Sequence, residues 1–174
     1  MPDDVPVKGR QAPAPAPARQ LAGFVAKFSP GIAAQARAVL AKMRQRLPGA
    51  IELVYDNYNA LAIGFGPTER TGDAIFSIAV FPHWVSLFFL RGAGLPDPTK
   101  LLRGSGSLAR HVVLTGPDDL DRPAIKALMA AAVQRAPTAW DPKQPRRLLI
   151  KLVAAKQRSR RPAEPERCFR KRSP

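Results

Sequence analysis

Apolar positions recur along this chain at two different spacings, and the change from one to the other divides it into helices and strands. Leu21, Phe24, Val25 and Phe28 fall at i, i+3, i+4 and i+7, the buried face of a short helix. Ser29-Pro30 then restarts the helix, with serine as cap and proline in the first helical position. Ile32, Ala36, Val39, Leu40, Met43 and Leu47 form one stripe along the second helix, Arg37 and Arg44 lie on its other side, and Pro48-Gly49 stops it. The period then drops to two. Ile51, Leu53 and Tyr55 alternate with Glu52, Val54 and Asp56, and the turn Asp56-Asn57-Tyr58-Asn59 leads into a second strand over residues 60–65. Residues 74–81 and 84–91 are a third and fourth strand joined at Pro82-His83, and residues 111–114 a short fifth. Asp121-Arg122-Pro123 opens a helix that buries Ile125, Leu128, Met129, Ala132 and Val133, and residues 146–153 read as a last strand. These elements predict an α+β fold, a two-layer sandwich of an antiparallel meander sheet of about five strands with helices on one face.

Composition adds the limits of that unit. A length of 174 residues fits one domain, and 45% apolar residues suffice for a core. Many of the nineteen prolines sit near the two ends, and residues 12–17 alternate alanine and proline, which favours an extended spacer. The expected division is a leader over residues 1–18, a domain over 19–155 and a basic tail over 156–174. Residues 92–110 form a long loop, with one helical turn expected over 99–103. The apolar run over residues 74–90 is broken by Pro82 and His83 and is shorter than a membrane span, so no membrane partner is expected. With no targeting segment visible and a single cysteine, Cys168, a cytoplasmic location is the expectation. Cys168 among basic residues is either a reactive thiol or an incidental one.

Charge is concentrated at one end. From Lys143 onward there are twelve Lys or Arg and two acids, so +10 of the net +15 lies there. Lys156, Arg158, Arg160 and Arg161, with the run over residues 167–172, suit weak, salt-dependent and non-specific contact with nucleic acid. The tail has no interleaved aromatic except Phe169 to stack a base.

Two loops carry candidate binding chemistry. In Arg103-Gly104-Ser105-Gly106-Ser107-Leu108-Ala109-Arg110 the glycines let backbone N–H groups converge, Ser105 and Ser107 add hydroxyls, and Arg103 and Arg110 flank them, a set that suits an anion. The same glycines also serve a loop that merely bends. Tyr55, Asp56 and Tyr58 at the first turn offer one wall of a small-molecule pocket, although Asp and Asn also favour turns for their own sake. The two loops together are the expected ligand site, on one groove edge. His83 and His111 stand apart, and no nucleophile elbow, zinc-protease motif or phosphate loop is present, so neither catalysis, a cofactor nor a metal is expected.

The strings Tyr55-Asp56-Asn57-Tyr58-Asn59-Ala60-Leu61, Phe65-Gly66-Pro67-Thr68-Glu69-Arg70, Trp84-Val85-Ser86-Leu87-Phe88-Phe89-Leu90-Arg91-Gly92-Ala93 and Leu95-Pro96-Asp97-Pro98 are similar to the YdhG-like proteins, a bacterial domain family of unknown function. The resemblance covers roughly residues 19–161 and implies helices packed on an antiparallel sheet. One branch of that family is described as frataxin-like iron chaperones, which hold iron with clustered Asp and Glu. Residues 19–47 here carry six Lys or Arg and no acid, and Glu52 and Asp56 are the only acids of the adjoining strand. The expected role is therefore a non-enzymatic binding or accessory domain for an unknown, anionic small ligand, with nucleic-acid association as first alternative and an iron chaperone as second.

Overall fold

The structure, a computed structural model, describes residues 16–162. The first helix, α1 (Pro17–Ala26), begins with proline in its first turn, where the missing N–H costs nothing. Residues 17 and 18 thus belong to the helix rather than to the leader, of which residues 1–15 lie outside the described residues. Leu21 and Val25 of α1 are buried, as is Phe28 beyond it. Helix α2 (Pro30–Arg46) starts at Ser29-Pro30 as expected, but the Ser29 hydroxyl makes no cap bond; its carbonyl accepts the Ala33 N–H at 2.8 Å. Ala33, Ala36, Val39, Leu40 and Met43 are its buried stripe, and Arg44 and Arg46 in the last turn favour the negative end of the helix dipole.

The sheet has six strands, one more than the expected five: β1 (Ile51–Asp56), β2 (Leu61–Gly66), β3 (Phe76–Val80), β4 (Val85–Phe89), β5 (Arg110–Leu114) and β6 (Arg147–Val153). Their order is β5-β4-β3-β2-β1-β6. The first five form the antiparallel meander; β6 returns from the far end of the chain and pairs parallel with β1. Before that return come a short 3-10 helix at Pro117–Asp121 and α3 (Pro123–Gln134), which buries Ile125, Leu128 and Met129. Asp121 does not cap α3: its carboxylate pairs with Lys42 and Arg46 and ties α2 to this turn. Residues 99–103 form no helix; the Asp97 carboxylate accepts the N–H groups of Leu101 and Leu102 at 3.0 and 2.7 Å instead.

The helices cover the sheet face that carries Val54, Leu61, Ile63, Phe65, Phe76, Ile78, Val80, Val85, Leu87 and Phe89. Phe76 and Phe89 meet edge to face at 5.7 Å. Full burial of each such side chain contributes about 1.5–3 kcal/mol. On the opposite face the loop after β2 folds back over β1, and the Tyr55 and Thr71 hydroxyls meet at 2.6 Å. The alternating residues of β3, β4 and β5 on that face are Ser77, Ala79, Ser86, Phe88, His111 and Val113. Among the described residues no helix is long and apolar enough to cross a membrane.

Candidate functional site

The residues after β6 do not leave the domain. They run along the β1–β2 turn: Ala154 N–H donates to the Asp56 carbonyl and Arg158 N–H to the Tyr58 carbonyl, both at 2.9 Å. Arg160 is only 5% exposed. Its guanidinium donates to the Asp56 carboxylate at 2.7 Å and to the Asn57 carbonyl, and lies 5.5 Å from the centre of the Phe28 ring. Lys27 takes the other Asp56 oxygen at 2.8 Å. Burial pushes the Asp56 carboxyl up, but bonds from Lys27, Gln157 and Arg160 outweigh it and hold it below the ordinary carboxylate value. Arg160 is therefore a structural cation and not a free one, a correction to the expected tail over residues 156–174. Lys156, Arg158 and Arg161 remain exposed. Cys168 and the run over 167–172 lie outside the described residues.

The expected groove between the two loops does not exist. Tyr55, Asp56 and Tyr58 belong to β1 and its turn, whereas residues 103–110 precede β5, with β2, β3 and β4 between. At the usual strand spacing that is about 19 Å across the sheet. The loops also lie at opposite ends of the strands, since Arg110 pairs with Phe89 while Asp56 is aligned with Leu61 and Val80. Asp56 is fully buried and committed to Lys27 and Arg160, while Tyr58 is 47% exposed. Arg103, Ser105 and Ser107 are exposed, but Arg110 turns inward and donates to the Gly106 and Ala109 carbonyls, closing its own loop. His111 stacks on Phe88 at 4.9 Å; burial and then the nearby Arg103 charge keep its imidazole below the ordinary histidine value.

A different site emerges at the β1–β2 end of the sheet. A cleft of about 540 Å³ opens between the β1–β2 turn, the β3–β4 hairpin and the docked C-terminal segment, lined by Asn59, Phe81, His83, Trp84, Arg158 and Arg161 among others. The hairpin shapes its apolar wall: the Phe81 N–H donates to the Trp84 carbonyl at 2.9 Å and their rings stack at 4.9 Å. Trp84 is 43% exposed. The polar wall comes from the segment after β6, where Arg158 reaches the Asn59 amide oxygen at 3.5 Å and Arg161 the Lys27 carbonyl at 3.3 Å. Neither arginine meets a carboxylate among the described residues.

That these two guanidinium groups meet no carboxylate among the described residues is a consequence of where the acids go. Glu52 is 2% exposed and bound by Arg44 through two bonds and by Arg146 at 2.9 Å. Asp56, Glu69, Asp118, Asp119 and Asp121 are all in ion pairs. Asp73 accepts from Thr68, Asp97 from Leu101 and Leu102, and Asp141 from the Lys143 N–H. Every acid between residues 16 and 162 is thus used inside the chain. The sequence signal for this was the alternation that put Glu52 and Asp56 on the same face as buried Val54, where a carboxylate must find a cation. Among the described residues no group of three or more His, Cys, Asp or Glu converges to hold a metal ion. No family model matches the chain, and neither a curated protein nor a solved structure is significantly similar to it.

Proposed function

We propose that this chain is a non-enzymatic binding module for an anionic ligand that carries a flat ring, taken in the cleft between the β3–β4 hairpin and the C-terminal segment. The observation that carries the reading is the placement of Arg158 and Arg161, neither facing a carboxylate, on the wall of the cleft to which exposed Trp84 also contributes. Guanidinium groups recognise carboxylate or phosphate oxygens by paired N–H donation, and an indole face takes a flat ring or a cation. Binding is the chemistry these groups supply. The one titratable base lining the cleft, His83, sits at the hairpin turn and has no hydrogen-bonded partner among the described residues, so the nucleophile–base–orienter arrangement that marks covalent catalysis is not formed there.

The YdhG-like identity, carried by the strings quoted above, belongs to the same proposal, as does a cytoplasmic setting for a chain with one cysteine. The iron-holding variant of that family is not proposed, because the two carboxylates nearest to such a site, Glu52 and Asp56, are both taken by cations.

The test is Trp84 fluorescence in a Trp140→Phe background, titrated with a mononucleotide, an aromatic carboxylate and the neutral nucleoside. Saturable quenching by the two anions, weak or absent with the nucleoside and lost in Arg158→Glu/Arg161→Gln, is the expected result. Equal response to all three ligands, or none at millimolar concentration, refutes the reading.

A further inference from the structure

Trp84 is not an isolated ring. It leads into β4, where alternation puts Ser86 and Phe88 on the same face, the one turned away from the helices. Phe88 belongs to that face and not to the core beneath the helices, is half-buried, and stacks on His111 of β5 at 4.9 Å with the ring planes 24° apart. Between the two aromatic stations the floor is made of small residues packed out of solvent, with an exposed valine beside them: Ser86 (1% exposed) lies opposite Ala79 (7%) on one side and Val113 (37%) on the other, and Ser77 (9%) lies opposite Phe88. No Asp or Glu occurs in β2, β3, β4 or β5. Cations stand at both ends, Arg158 and Arg161 beside Trp84, and Arg103 bridged to His111.

Separation decides what fits. Four residues of strand place Trp84 and Phe88 about 13 Å apart. One ring cannot cover both, so a ligand that uses both stations has several flat rings joined by a chain, and cations at each end call for negative charge along that chain. A duplex keeps its bases stacked on one another and offers no free ring face to the sheet, whereas a single strand offers every one.

We propose that the face of β4 and β5 turned away from the helices is a stacking platform for single-stranded nucleic acid, with bases on exposed Trp84 and on the half-buried Phe88–His111 pair and phosphates held by Arg158, Arg161 and Arg103. This rests on the anion-binding reading of the cleft and extends it from one ring to several. The aromatic groups that residues 154–161 lack are supplied by the hairpin beside them.

The experiment is fluorescence anisotropy of the full chain with labelled single-stranded dT and rU 12-mers and a duplex of equal length, together with the mononucleotide titration above. Trp84→Ala is expected to weaken single-strand binding about tenfold, in line with the loss of one stacked base, and Trp84→Phe to restore most of it. The mononucleotide is expected to bind at least tenfold more weakly than the 12-mers. Duplex bound as well as single strand, with Trp84→Ala without effect, overturns the platform and leaves only charge. Mononucleotide bound as tightly as the 12-mers sinks the platform while the one-ring reading of the cleft survives. No binding of either kind removes both.

Discussion

Arg160 donates to the Asp56 carboxylate across 104 positions of sequence, and neither side chain is more than 3% exposed. A buried ion pair of this kind is weak evidence of net stabilisation, but removing one partner strands the other in a place water cannot reach. Asp56→Asn is therefore expected to destabilise by about 3–5 kcal/mol. Arg160→Ala, which leaves Lys27 on the same carboxylate, should cost less, about 1–3 kcal/mol. Urea unfolding of the two variants gives the ordering; equal losses would mean that Lys27 contributes nothing. A chain ended at residue 155 should lose at least as much as Arg160→Ala.

The same carboxylate sets an acid limit. Its folded value lies below the ordinary one, so its stabilisation is fully present above the unfolded value near 3.8 and is lost as pH falls through the folded value. Asp119 and Asp121 are shifted the same way: Asp119 by bonds from Thr115 that outweigh burial, Asp121 first by its bond from Lys42. His111 acts earlier. Its folded value is also lowered, so stability present above 6.5 declines as pH falls through the folded value. Urea midpoints are thus expected to drop in two stages, one below pH 6.5 and one below pH 4. His111→Phe should remove the first stage only, and Asp56→Asn should reduce the second.

Burial separates strong pairs from nominal ones. Glu52 is held by two arginines and is 2% exposed, whereas the Asp118 side chain is 95% exposed beside Lys42. Glu52→Gln should cost about 2–3 kcal/mol and Asp118→Asn less than about 0.5 kcal/mol. Denaturation at low and at 1 M salt checks the contrast, since salt screens the exposed pair far more than the buried one.

Gly49 is a backbone requirement. Its φ is +76°, and a Cβ there would lie 2.4 Å from the Asp141 carbonyl oxygen. The segment leading to β6 is pinned on this corner, with Trp140 donating to the Pro48 carbonyl and Gln144 to the Gly49 carbonyl. Gly49→Ala is expected to cost more than about 1 kcal/mol and to speed amide exchange in β6 beyond its effect on β3.

Much of this architecture was legible from particular residues. Ser29-Pro30 marked a helix start because proline's fixed φ suits the first turn, and Ile51 to Asp56 declared a strand by period two. The docked Arg160 was not legible as such, because a basic run reads the same whether its members face water or one of them turns back to a buried acid. Glu52 and Asp56, alternating into a buried face, were the available sign. The failed groove was avoidable: in a five-strand meander the turn after the first strand and the loop before the fifth necessarily lie at opposite ends and opposite edges. The cleft was hidden for another reason. Trp84 read as a strand residue and Arg158 as tail, and only their meeting across the β1–β2 turn makes a site.

Because β6 lies beside β1, the sheet is finished by residues synthesised long after the strand they complete. Until Arg146 and Arg160 have left the ribosome, Glu52 and Asp56 lack part of their counter-charge and β1 keeps a naked hydrogen-bonding edge. Non-local pairing of this kind slows folding, and an open edge is a template for another chain. A prematurely terminated message should therefore yield material that associates edge to edge, not a smaller version of the domain.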